Sequence, residues 1–234
     1  DRNDDAIVLW ADGMNGEASF AIIDEAHKHN LKVFADAPDL ADAKELVKAG
    51  IDGLIASIRD RDVDTELISL MKEKNIPLAP ALSALEARFV YADKPDWLGE
   101  QAMREVYPAQ LSAYLEDQVV VNRIKRNPEL GAYRQQLATA SKNLKKLADG
   151  GVKIAFGSGS GQADTFPGYF EHRELELMVA AGLSPMDTIT AATSTSAAAL
   201  GLKDIGTLAV GKKADFMVLS NSPLEKMTNS KGID

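Results

Sequence analysis

Over the first 82 residues, short continuous apolar runs alternate with amphipathic stretches. Residues 6–10 (AIVLW) are such a run, as expected for a strand buried on both faces. A turn at 12–16 (DGMNG) follows, then a helical pattern over 17–30 with Phe20, Ile23 and His27 on one stripe. The unit recurs: 31–35 predicts a strand, 40–49 a helix closed by Gly50, 53–58 a strand, 63–74 a helix and 76–82 a strand. Strands and helices alternating at this spacing predict parallel βα units, doubly wound or closed as a barrel, with the charged side of each helix outward.

After Leu82 the alternation lapses. Residues 83–107 read as a loop-like insertion with aromatic residues and prolines, and 108–149 as mostly helical with an interruption at Asn127-Pro128. An excursion of this length between two strands suits either a lid over a site or extra helical packing. The alternation resumes with a strand at 152–156, the turn Gly157-Ser158-Gly159-Ser160-Gly161 and a helix over 171–181 ended by Gly182. Ser184-Pro185 then supplies an N-cap and a first-turn proline for the next helix. Residues 205–219 change character: two short runs flank Val210-Gly211-Lys212-Lys213 and predict a β-hairpin. The expected organisation is a (β/α) segment over 1–204 carrying the insertion 83–149, and a C-terminal β segment over 205–234.

Composition narrows the function. A net charge of -9 and a pI near 4.9 argue against nucleic acid or an anionic membrane surface as the main partner. No apolar run approaches the roughly 20 residues a membrane span needs, and residues 1–5 do not read as a signal peptide, so a soluble chain is expected and its compartment stays open. The absence of cysteine removes disulfides, thiol nucleophiles and thiolate metal sites. Only His27, His29 and His172 remain as histidines, too few for a conventional multi-histidine metal centre. His27 and His29 read as exposed residues at a helix C-terminus, where a cation is favoured.

Residues 166–193 (FPGYFEHRELELMVAAGLSPMDTITAAT) and 206–224 (GTLAVGKKADFMVLSNSPL) resemble the imidazolonepropionase-like and Xaa-Pro or Xaa-Arg dipeptidase-like branch of the amidohydrolase superfamily. The likeness covers nearly the whole chain, and these two stretches are its most specific part. It implies strands four to eight of a (β/α)8 barrel, with the hairpin belonging to a small β-sandwich. Strands one to three have no counterpart, so a partial barrel needs either a missing N-terminal half or self-association to cover its edges. Such enzymes hydrolyse amide-type C–N bonds, with zinc or another divalent metal generating hydroxide from water.

The resemblance also implies where metal ligands should stand. The strand-four lysine falls on Val8, the strand-five histidine on Asp36 within Val33-Phe34-Ala35-Asp36, and the strand-six histidine on Ala56 within Ala56-Ser57-Ile58-Arg59-Asp60; the strand-eight aspartate falls on Gly159. Only Asp36 could bind a metal, so no metal or other cofactor is predicted for this chain. Substitutions gathered at the mouth suggest a pocket emptied by selection or by design. Asp36 is then the candidate acid or base, and it equally reads as a solvated carboxylate at a strand end. Trp10, Asp12, Arg59, Ser158, Ser160, Tyr169 and His172 are expected to line the pocket, although His172 also reads as a structural residue steadying the glycine turn. Three functions stay open: a repurposed or inactive hydrolase-like barrel, a metal-free barrel binding a small ligand such as a phosphate through the glycine-serine turn, and a hydrolase completed by an N-terminal half. A purely structural, self-associating role is the bland alternative.

Overall fold

A computed structural model describes residues 5–11, 16–106, 109–162 and 164–234. Most of the turn expected at 12–16, and Asp12 with it, lies outside the described residues. Strands β1 (Ala6–Trp10), β2 (Lys32–Asp36) and β3 (Gly53–Leu54) form a parallel sheet in the order β1-β2-β3. Ala6 pairs with Lys32 through to Trp10 with Asp36, and Phe34 pairs with Gly53. Gly53 admits this close pairing because a Cβ there would stand 2.9 Å from the Phe34 ring.

The fourth and fifth expected strands take their places in the same parallel order, but as single bridges, Leu54 to Leu78 and Leu78 to Ile154. Pro77 and Pro80 explain part of the shortening, since neither has an N–H to give to a neighbour. Their carbonyls still accept, from Leu54 N at 2.9 Å and from Ser57 N at 3.1 Å. The strand expected at 76–82 also ends early. Ala81 turns the chain in a left-handed conformation (φ 51°), and Leu82 begins a helix.

β2 is buried on both faces, as its apolar run requires: Val33, Phe34 and Ala35 are all in the core. For β1 that expectation is corrected. Leu9 is buried, but Val8 is 47% and Trp10 66% exposed, because successive side chains alternate and their shared face is uncovered. Helices α1 (Gly16–Lys28), α2 (Leu40–Ala49) and α3 (Thr65–Glu73) follow the first three strands. The α2 bounds match the sequence reading, with Gly50 at φ 97° closing the helix.

The insertion is more ordered than expected. Helices α4 (Leu82–Ala87), α5 (Gln101–Val106), α6 (Ala109–Glu116), α7 (Gln118–Lys125) and α8 (Leu130–Asp149) fill it, with 3-10 turns at Val90–Asp93 and Asp96–Gly99. The stretch read as a loop is held by a core of its own, where Tyr91, Trp97, Leu98 and Met103 pack with Tyr169 and Phe170 of α9 (Tyr169–Ala180). Each large side chain buried this way contributes roughly 2 kcal/mol, enough to order a short helix of weak propensity. The chain then runs through α10 (Pro185–Thr190), a π-helical turn (Ala191–Thr195) and α11 (Ser196–Leu200).

The hairpin expected over 205–219 does not form among the described residues. Lys212 N bonds to the Ala209 carbonyl, so the turn is where the sequence put it, but the flanking runs do not pair. Leu208, Val210, Phe216 and Met217 are exposed, and no sheet face covers them. Leu219 instead bridges antiparallel to Ile233.

At the N-terminal end of the sheet, Lys32 Nζ donates to the Ala199 carbonyl (2.7 Å) and Lys74 Nζ to the Lys48 carbonyl (3.5 Å). These ammonium groups therefore serve the C-terminal turns of α11 and α2, where the helix dipole favours a cation. On the other flank Asn143 of α8, 1% exposed, accepts from Val63 N (2.9 Å) and donates to the Ile58 (3.0 Å) and Arg61 (2.8 Å) carbonyls. Asn143→Ala strands three backbone groups at once, and leaving a buried group unpaired costs ~1–3 kcal/mol. Urea unfolding of this variant is expected to show a loss of about 3 kcal/mol or more; a loss within experimental error would mean that the 58–63 loop does not depend on α8.

Candidate functional site

A cleft of about 500 Å³ opens at the C-terminal ends of the parallel segments. Trp10 ends β1, Asp36 ends β2, Ala56 and Ser57 follow β3, Pro80 and Ala81 follow the Leu78 bridge, and Gly159 follows the Ile154 bridge; all line it. Parallel strands bring their carboxyl ends to one side, so residues far apart in sequence meet there.

Of the residues expected at this mouth, Trp10, Asp36 and Arg59 line the cleft, as do the family positions Ala56 and Gly159. Val8 stands one pleat deeper, in an apolar hollow with Phe34, Ile55, Ala79 and Phe156. The loop bearing Arg59 is held by its neighbour Asp60, whose Oδ1 accepts from Leu40 N at 3.0 Å and so closes the first turn of α2.

Four other expected pocket residues bond within the fold. The Ser158 and Ser160 hydroxyls both donate to Glu171 Oε1, at 3.0 and 2.5 Å, and Gly168 N donates to Glu171 Oε2 at 2.6 Å. The glycine-serine turn is thus pinned to the first turn of α9. Burial pushes the Glu171 carboxyl up, but bonds from Ser160, its own backbone N–H, Ser158 and Gly168 together outweigh burial and leave the pKa below its ordinary value. Tyr169 stacks on Trp97 with ring centroids 5.4 Å apart and donates to Glu100 Oε2 at 3.1 Å. Burial, then Glu100, raises its pKa. His172 Nδ1 lies 3.0 Å from Ser230 Oγ, so this histidine clamps the C-terminal 3-10 turn (Met227–Lys231). Burial and then Lys231 lower its pKa, keeping the ring neutral near pH 7. His27 and His29 are exposed near the end of α1, beside Asp52 and Glu25.

The sequence reading, which gave the insertion as either a lid or extra packing, named no cleft residue in it and none in the 162–165 segment. Ala84, Leu85 and Arg88 form one wall, and Gln162, Asp164 and Thr165 form the rim. The Asp164 carbonyl accepts from Tyr91 OH (2.5 Å), which ties the rim to the insertion's aromatic core. Arg88 lies over the Tyr133 ring at 5.5 Å. Asp36 and Asp164 thus share one cleft with Arg59 and Arg88, an arrangement suited to a small polar ligand carrying charge.

Behind the α4 wall lies a chain of buried charge. Glu174 is 0% exposed, and its two oxygens accept from Leu82 N (2.9 Å) and Ser83 N (2.6 Å), at the start of α4. Burial pushes its pKa up to about 7; the Ser83 and Leu82 N–H groups and the Ser83 hydroxyl pull it down, and Glu86 adds to the rise. Arg173 grips Glu86 with two bonds (2.7 and 2.6 Å) and Glu176 with a third (2.8 Å). Burial opposes the Arg173 charge, but Glu86 and Glu176 prevail and raise its pKa. Lys231 continues the chain to Glu176 (2.9 Å) and Glu100 (2.5 Å). A glutamate at the third position of α9 can reach back to the N–H before the helix, as Glu171 does to Gly168 N, and that spacing is the one local sign of its role. Nothing local marks Glu174.

Among the described residues, the donor set at the mouth does not fit a zinc-type centre. The Val8 and Ala56 side chains have no donor atom, and any side chain at Gly159 would meet a left-handed backbone (φ +65°) and a tight contact, its Cβ 3.0 Å from Ala84 Cβ. Among the described residues no three His, Cys, Asp or Glu side chains are grouped to hold a metal ion. Also among the described residues, no helix is long and apolar enough to cross a membrane.

Comparison with known proteins agrees with the sequence reading. The pattern of the Amidohydrolase family matches residues 10–234. Imidazolonepropionase of Deinococcus deserti is 34% identical over 93 residues, which are 38% of this chain and 22% of that protein. The crystal structure of a putative prolidase from Bifidobacterium longum superposes with a TM-score of 0.71 at 26% identity, covering 99% of this chain and 53% of the other. A Xaa-Pro dipeptidase with methionine bound in its active site shares the fold with a TM-score of 0.73 at 21% identity, over 99% of this chain and 52% of that one. The chain thus spans about half the length of these structures and 22% of the imidazolonepropionase. On the match over residues 10–234, with its parallel α/β fold, the chain belongs to the Amidohydrolase family.

Proposed function

We propose that this chain is the strand-four to strand-eight portion of an amidohydrolase-type barrel whose mouth has given up its metal centre and takes a small, charged organic ligand instead. One observation carries the reading. The cleft at the strand ends gathers three of the four family ligand positions, 36, 56 and 159, and among them only Asp36 offers a donor. Asp36 and Asp164 are the cleft's two carboxylates among the described residues, fewer donors than the three protein ligands of a catalytic zinc site. In this reading Arg59 and Arg88 receive the anionic part of the ligand, and Asp36 is a hydrogen-bond acceptor or a proton carrier at the floor. Hydrolysis of a C–N bond by the family route requires a metal-activated water, which this donor set does not support.

Completion by a further half is the second reading, and the open face of β1 favours it: Val8 and Trp10 are exposed where more strands could pack. Such a half would cover the apolar hollow and could bring metal-binding groups of its own. It would leave positions 8, 56 and 159 as they are. Self-association through the same face would also cover it.

Two outcomes test the proposal. Restoring the aspartate by Gly159→Asp is expected to lower stability by roughly 1–2 kcal/mol, from the left-handed backbone and the contact with Ala84. Dialysis of folded G159D against zinc should leave no stoichiometric metal; one tightly held zinc per chain would overturn the donor-set argument. In a thermal-shift series with millimolar phosphates and carboxylates, a ligand at 100 times its Kd stabilises by about 2.7 kcal/mol, a rise of several degrees for a chain of this size. Arg59→Ala should remove that rise, and a series with no response from the unmodified chain would count against a ligand site.

A further inference from the structure

We propose that Glu174 is a positioning residue for the mouth cleft, and that gain or loss of its proton resets the α4 wall. The inference rests on the cleft being the ligand site, but its test needs no ligand. A carboxylate can accept two backbone N–H groups, one on each oxygen. A carboxylic acid carries a hydrogen on one oxygen and keeps one full acceptor. Since Leu82 N and Ser83 N occupy one oxygen each, protonation must weaken one of the two bonds that start α4. The same turn carries Ala81, Ala84 and Leu85 into the cleft, and Ser83 Oγ donates to the Ser158 carbonyl (3.0 Å), next to Gly159. A change at Glu174 therefore reaches two sides of the cleft through one hydrogen-bonded turn.

The neighbouring charged groups bond elsewhere and do not touch the start of α4. Glu86 faces it from α4 and is neutralised by Arg173; Glu171 is bound to the two serines one turn earlier on α9. Glu176 is held by Arg173 and Lys231, and His172 turns to Ser230. From α8, Asn143 faces the 58–63 loop; from the segment leading into α5, Glu100 is taken by Tyr169 and Lys231; from α10, Asp187 accepts from Ser184. The Glu174 pKa near 7 places the change in the neutral range. Because the folded chain holds this proton more tightly than an ordinary carboxyl at 4.5, the associated stability is fully present below pH 4.5 and is lost as pH rises through 7.

Amide NMR titration of the intact chain between pH 5 and 8.5 tests the proposal. The amides of Leu82, Ser83, Ala84, Leu85 and Gly159 are expected to share one step with a midpoint near pH 7, absent in Glu174→Gln. The urea midpoint of the unmodified chain, taken relative to E174Q, should fall over the same range. A step confined to Leu82 and Ser83, or one that persists in E174Q, overturns the proposal. If E174Q does not fold, Ser83→Ala decides: a step kept at Leu82 but lost at Gly159 supports the coupling, and an unchanged step at Gly159 refutes it.

Discussion

A fully buried carboxylate must be met by donors or give up its charge, and the placement of Glu174 makes that requirement the hinge of this fold. Isolating a charge from water costs several kcal/mol, and two N–H bonds return only part of it. The rise of its pKa from 4.5 to about 7 records that shortfall. The contact also fixes geometry, because the two donors are the opening residues of α4, the helix that walls the mouth cleft.

Around that contact, α9 acts as the organising element of the C-terminal half. Glu171 fixes the glycine-serine turn, His172 and Arg173 engage the C-terminal 3-10 turn and α4, and Tyr169 and Phe170 complete the aromatic core of the insertion. Buried ion pairs of this kind contribute little net stability against a hydrophobic alternative, but removal of one partner is severe. Their consequence here is positional. The rim and wall of the cleft are set by these charges and hydrogen bonds.

Much of this was legible in the sequence where the signal is local. The α2 bounds follow from the apolar period and Gly50; Trp10, Asp36 and Arg59 follow from parallel strands bringing their ends to one side. The contacts that were not legible depend on partners outside any short window of sequence. Ser158 and Ser160 look like phosphate-facing residues until Glu171 is seen to take both hydroxyls, and Tyr169 looks like a pocket residue until Trp97 covers it. Strand lengths were overestimated where Pro77 and Pro80 interrupt the ladder, and the hairpin over 205–219 was inferred from a turn whose flanks find no sheet to join. The wall of the cleft came from a stretch read as loop, because its order rests on a second core that no short window of sequence reveals.

Calorimetric titration of the unmodified, metal-stripped chain with zinc at neutral pH decides whether the mouth holds a metal centre. No saturable binding tighter than micromolar is expected, and no change in the heat with Asp36→Asn. One zinc per chain bound at submicromolar Kd, and weakened by D36N, would contradict that expectation.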